Sequence, residues 1–246
     1  MMWTVTFLIS RQRTGEKPHF QSFSLQVDPD EYVLDAIERV WAFHDRSLTF
    51  RHACHHSTCG ACGMLVNGIE KLTCITPIHA ITHDGGTVRV EPLRNFPVVS
   101  DLVVDMAPFF ERMEQIDFQQ IVPVEKAALP HQSEPPRDES GDYTRLVDCI
   151  ECGLCISACP PASTSASYLG PAALAAIQQN QAVAPCLDLL ALADSENGVW
   201  RCHSAFECSA VCPSNVDPAW RIMDLRRRTF GHRLQQLFSK GRTVSA

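Results

Sequence analysis

No apolar run in the sequence approaches the roughly 18 residues that a membrane-spanning helix requires, so no span is predicted. No glycine-rich dinucleotide fingerprint is present, so no dinucleotide site is predicted in this chain. No nucleophile motif accompanies the serines and histidines, so nothing suggests hydrolysis. Basic residues number 21 against 28 acids, and a body of that sign argues against general nucleic-acid binding. Met1 to Ser10 is apolar, but no basic region precedes it and no small-residue cleavage site follows. It reads as a strand rather than a signal peptide. Without export, disulfides are not expected.

Cysteine is what the sequence has in excess, with twelve in 246 residues, and metal is the reading that remains for them. Charge is also uneven. Residues 221–246 hold seven basic side chains and one acid, a tail suited to an anionic membrane surface, an acidic partner or a solvated helix face.

Trp3–Ser10 and Phe20–Val27 are rich in β-branched and aromatic residues and predict two strands. Asp28-Pro29-Asp30 then opens a helix from about Glu31 to Phe43, with Val33, Leu34, Ile37, Val40 and Trp41 at helical spacing. Gly63–Cys74 predicts a hairpin around Asn67-Gly68, because both turn residues tolerate positive φ. Thr87–Glu91 predicts a further strand, and Asp101–Ile116 a helix. Four prolines among polar residues make Val122–Gly141 a linker by composition. Beyond it strand signals cease, and Pro171–Asn180, Cys186–Ala193 and Pro218–Phe238 predict helices. The expected fold class is α+β. Residues 1–100 are expected to form an N-terminal α+β domain, 101–140 a helix and linker, and 141–246 a helical domain.

The cysteines fall into three groups. Cys54, Cys59, Cys62 and Cys74 have the spacing C-x4-C-x2-C followed by a distant fourth, which is that of a plant-type 2Fe–2S site. Gly60 and Gly63 let the loop wrap a cluster closely. A zinc knuckle would prefer paired C-x2-C units. His55 and His56 inside this loop are expected to be exposed loop histidines rather than Rieske-type ligands. Cys149, Cys152, Cys155 and Cys159, followed by Pro160, form the C-x2-C-x2-C-x3-C-P run of bacterial ferredoxins, whose fourth cysteine serves the other cluster of a pair. Cys202, Cys208 and Cys212-Pro213 repeat that register with Ala205 in place of one cysteine. By cross-ligation, Cys149, Cys152, Cys155 and Cys212 complete a 4Fe–4S cluster. Cys159, Cys202 and Cys208 remain for a 3Fe–4S cluster, since a methyl group cannot bind a fourth iron. Cys186 is left over and reads as a small buried hydrophobe. The sum is about nine irons per chain.

This order of motifs resembles the iron–sulfur subunit of succinate dehydrogenase and fumarate reductase, over nearly the whole chain. The triplet Cys202-His203-Ser204 is especially similar to the succinate dehydrogenase subunit. The resemblance implies an N-terminal β-grasp ferredoxin domain and a C-terminal all-α ferredoxin domain. It implies no substrate site in this chain. A flavoprotein subunit with covalent or tight FAD would interconvert succinate and fumarate, and a membrane anchor, often with haem, would present quinone. The chain would then be peripheral, on the cytoplasmic face of a bacterial membrane. The resemblance also implies that His203 lies near quinone or a haem propionate. One departure stands out: family members often carry a tryptophan shortly after the fourth cysteine, whereas Pro160–Thr164 holds no aromatic. On the last helix, Trp220, Met223, Phe230, Leu234 and Leu237 share one face, expected mostly to pack in the core, and Arg226–Arg228 could meet phospholipid or the anchor. The competing readings are a quinol:fumarate reductase, a soluble thiol-linked fumarate reductase or glycolate-type oxidoreductase, and a zinc-stabilised interaction module.

Overall fold

Alternating burial builds a sheet in the first part of the chain. In β1 (Trp3–Arg11) the side chains of Val5, Phe7 and Ile9 are fully buried, and in β2 (His19–Val27) those of Phe23, Leu25 and Val27 lie on the same side. The two strands pair antiparallel from Trp3↔Val27 to Arg11↔His19. Helix α1 (Val33–Phe43) covers them with Val33, Ala36, Ile37 and Val40, and the Tyr32 N–H donates to the Asp35 carboxylate at its start (3.0 Å). The hairpin β3 (Gly63–Val66) and β4 (Ile69–Leu72) turns at Asn67 (φ 52°) and Gly68 (φ 83°), the left-handed pair its sequence predicts. β5 (Thr87–Glu91) runs parallel to β1 and antiparallel to β3. The resulting five-stranded mixed sheet has the order β2-β1-β5-β3-β4.

A computed structural model describes residues 1–13, 15–116, 149–183 and 187–240. They divide into two compact units, one formed by 1–110 with 150–158 and the other by the rest. The predicted linker 122–141 and Cys186 lie outside the described residues.

The predicted helix Asp101–Ile116 is shorter than its sequence suggests. β6 (Val98–Ser100) pairs with β7 (Val103–Val104), and only Ala107–Glu114 is helical (α2). The reason is Asp101. Its φ is 46°, and its carboxylate accepts from the N–H groups of Gln12 (3.0 Å) and Thr49 (2.9 Å) while pairing with buried Arg11 (3.1 Å). A side chain so engaged with distant backbone holds its own residue out of a helix.

Segment 150–158 joins the first unit through buried polar contacts. It includes α3 (Leu154–Ser157). Asn95 Nδ2 donates to the carbonyls of Ile156 (2.8 Å) and Ser157 (3.0 Å), and the Ser157 hydroxyl donates to buried Glu70 (2.8 Å). Ser157 Oγ also accepts from the Arg94 N–H (2.9 Å).

The second unit contains no strand among its described residues. It comprises α4 (Pro160–Thr164), α5 (Gly170–Val183), α6 (Leu187–Ala193), α7 (Glu207–Ala210) and α8 (Pro218–Lys240). From Ala172 to Ile177 every residue of α5 is buried, as expected for a central helix of small apolar side chains. A buried polar network joins it to α8. Gln178 donates to Asp224 (2.9 Å) and accepts from Arg221 (2.9 Å), which also donates to the Val216 carbonyl (2.9 Å).

One expectation about α8 needs correction. Ala219, Ile222, Leu225 and Thr229 form its buried stripe, which leaves Trp220, Phe230 and Leu234 exposed rather than in the core. Of the arginines, Arg227 and Arg228 pair with Asp224 (2.8 and 2.7 Å) while their side chains stay exposed, and Arg226 donates to the carbonyls of Val199 (2.7 Å) and Cys202 (2.6 Å).

Candidate metal centres

The loop carrying Cys54, Cys59 and Cys62 precedes β3, and the β3–β4 hairpin returns the chain to Cys74. Thr73 fixes that return: its N–H (3.2 Å) and its hydroxyl (3.0 Å) both donate to the Cys62 carbonyl. Backbone amides of His56 (3.5 Å), Thr58 (3.3 Å) and Cys59 (3.3 Å) converge on Cys54 Sγ, a wrap made possible by left-handed His55 and Ser57. These amides, that of His56 foremost, pull the Cys54 thiol down to about 6. Cys74 is buried, and burial pushes its thiol up to about 12. The Cys59 thiol is a hydrogen-bonding neighbour of Cys54, and the Cys62 thiol of Cys74. Two pairs of sulfurs within one loop-and-hairpin fit a two-iron centre with two thiolates on each metal.

Gly60 brings a second cysteine run against this loop. A Cβ on Gly60 would lie 2.7 Å from the Ile150 carbonyl oxygen and 2.9 Å from Cys152 Cα, and φ is +68°. No side chain therefore separates the loop of Cys59 from that of Cys152, and both cysteines line one cavity within the first unit. Cys155 sits on α3 in the same unit, whereas Cys149 and Cys212 belong to the second.

Within the second unit, Cys159, Cys202 and Cys208 line a common cavity with His203, Ala205, Phe206 and Tyr168. Cys159 is pushed up to about 11 and Cys208 to about 12, each mainly by burial, with the neighbouring thiols adding to it. Buried thiols of this kind ionise only against a cation, which iron would supply. The Tyr168 hydroxyl is buried beside them, with the Cys202 thiol as a hydrogen-bonding neighbour. Burial first, then these three thiols, drives its ionisation upward.

The internal repeat is visible in the backbone. Glu151 and Ser204 have φ of 51° and 57°, and Gly153 and Phe206 have φ of 77° and 63°. Each left-handed pair leads into a four-residue helix that carries a cysteine at its second position. Ala205 thus occupies the place that Cys152 has in the first run.

Two family models match, a 2Fe–2S iron–sulfur cluster binding domain over residues 6–111 and a 4Fe–4S dicluster domain over 145–216. The fumarate reductase iron–sulfur subunit of Mycobacterium tuberculosis is 36% identical, with 96% of this chain and 97% of that one covered. The chain belongs to the fumarate reductase and succinate dehydrogenase iron–sulfur subunit family. A mitochondrial succinate dehydrogenase iron–sulfur subunit of Oryza sativa is also similar, at 30% identity over 86% of this chain and 70% of the relative. In fold, the chain resembles one from the Mycobacterium smegmatis Sdh1 complex in the apo form, with a TM-score of 0.74, 24% identity and coverage of 94% of this chain and 98% of that one. In this chain the residues matched by the 2Fe–2S model precede those matched by the 4Fe–4S dicluster model.

Sequence reasoning did not find Arg226 or Tyr168 as neighbours of the third cysteine group. Arg226 reaches back 24 residues to the Cys202 carbonyl, and neither residue has a fixed spacing to a cysteine that a motif could register.

Proposed function

We propose that the chain is the electron-transfer subunit of a membrane-associated succinate:quinone oxidoreductase, set between the FAD of a flavoprotein subunit and quinone at a haem-containing membrane anchor. On this reading the first unit is a β-grasp ferredoxin domain and the second an all-α ferredoxin domain. Cys54, Cys59, Cys62 and Cys74 hold 2Fe–2S. Cys149, Cys152, Cys155 and Cys212 hold 4Fe–4S, and Cys159, Cys202 and Cys208 hold 3Fe–4S. When bound, the clusters supply one-electron transfer at graded potentials.

The observation that carries the reading is the seat of Gly60 on Cys152, which supports a short gap between the first two ligand sets. The protein's own part is positional. Backbone amides stabilise the Cys54 thiolate, Thr73 holds Cys74 beside Cys62, and Arg226 fixes the Cys202 segment from α8. His203 is exposed and lines the cavity of the third set, a placement that supports a role toward quinone or a haem propionate. No helix among the described residues is long and apolar enough to cross a membrane, so attachment would come from the anchor at the cytoplasmic face.

A second reading, quinol:fumarate reduction, draws support from the names of the fumarate reductase relatives. One experiment addresses both. The complex is purified from membranes, its subunits, haem and iron are counted, and succinate oxidation and fumarate reduction are compared. About nine irons per chain, a flavoprotein and a quinone-reactive membrane subunit are expected. A colourless chain holding zinc, or one without those partners, would end the proposal.

A further inference from the structure

A different set of ligand-type atoms converges beside the first cysteine loop. Glu38 reaches it from α1, and His52 and His55 from the loop around Cys54. Glu38 Oε1 lies 3.1 Å from His52 Nδ1 and 3.3 Å from His55 Nε2, and the two nitrogens are 3.1 Å apart. The three atoms therefore form a nearly equilateral triangle. We propose that Glu38, His52 and His55 bind a divalent first-row transition cation of the zinc class.

The edges of the triangle are the first argument. A tetrahedral zinc with ligands at about 2.0–2.1 Å places neighbouring ligand atoms about 3.3 Å apart. The second argument is the carboxylate. Glu38 Oε1 is closed to solvent and has no hydrogen-bond partner among the described residues. No hydrogen bond joins either imidazole to it, although both rings are within ion-pair distance. A single N–H shared between the histidines satisfies one edge only and leaves this buried oxygen uncompensated. A cation at the centre satisfies all three atoms at once, taking His52 through Nδ1 and His55 through Nε2.

The surroundings agree. The Phe50 ring stacks on His52 with centroids 5.1 Å apart and 20° between planes, which sets the orientation of that imidazole. The three residues line a cavity with Trp41, Leu48 and Thr49, which leaves room for a water as fourth ligand. Two histidines and one carboxylate with an open position are a chemically sufficient set for zinc. Occupation would tie α1 to the loop that begins at Cys54.

The test uses the complex with its clusters in place. It is cleared of adventitious metal with a chelator and equilibrated with zinc alone. Zinc and iron are counted, and the zinc environment is read by X-ray absorption. One zinc per chain with two imidazole nitrogens and a carboxylate oxygen is expected, with iron unchanged. Glu38→Gln and His52→Ala should each weaken zinc binding at least tenfold while the iron content stays that of the unsubstituted protein. Sulfur ligands to zinc, iron released in proportion to zinc gained, no zinc retained, or an affinity in either variant equal to that of the unsubstituted protein would each overturn the proposal.

Discussion

Residues 149–160 and 202–213 share a backbone but differ in what the backbone carries. Both bend through two left-handed residues into a four-residue helix. At the second left-handed position one run has Gly153 and the other Phe206. A Cβ on Gly153 would meet Met106 Cε at 3.0 Å and Phe96 Cζ at 3.1 Å, whereas Phe206 is half exposed. At the preceding position one run has Cys152 and the other Ala205. The bend is therefore common to both runs, while local packing and ligand number are set separately. Their fastenings differ too. Asn95 and Glu70 clasp the end of the first helix, and Arg226 clasps the start of the second run.

The largest effect is expected from erasing the ligand difference. Ala205→Cys supplies a thiol where the first run has one. The oxidised 3Fe electron paramagnetic resonance should vanish and the centre's potential should fall on the order of 100 mV as a fourth iron binds. An unchanged 3Fe signal would show that the two runs are wrongly aligned.

Arg226→Ala tests the fastening. It removes charged hydrogen bonds to two carbonyls, at about 2 kcal/mol in a part-buried setting. The third centre should be lost on dilution or mild denaturant while the 2Fe signal persists. Equal loss of both signals would mean that Arg226 supports the chain generally and not the Cys202 segment.

The smallest effect comes from the glycine–phenylalanine exchange. Gly153→Ala strains a left-handed residue against packed neighbours and should cost about 1–2 kcal/mol in thermal unfolding. Phe206→Gly, at a half-exposed position, should stay within about 1 kcal/mol of the parent. If the two substitutions cost the same, packing around Gly153 is not what separates the runs.

Much of this arrangement is legible in the sequence where short-range chemistry decides. β1, β2 and β5 fall within a residue of their predicted limits, because alternation and turn residues act locally. The Asn67-Gly68 turn is legible for the same reason. The Asp101 corner is not, since its partners Gln12 and Thr49 lie 89 and 52 residues away in the chain. The cysteine groups stand out because cluster ligation imposes spacing. Arg226, Tyr168 and the meeting of Glu38 with His52 and His55 leave no periodic trace, because each depends on how separate elements pack. His55 itself was visible only as a loop residue, and its exposure agrees with that; its two neighbours are what sequence alone does not supply.

The return of residues 150–158 to the first unit has a practical consequence for anyone shortening this protein. A chain stopped after Ile116 would keep the sheet and the four thiols from Cys54 to Cys74. It would lose Leu154, which packs on Gly63, and the hydroxyl of Ser157 that shields the Glu70 carboxylate. The truncation would leave a water-facing acid and an apolar hollow where the longer chain has an interior. A soluble fragment of this half therefore needs those nine residues restored, grafted by a linker or added as a peptide.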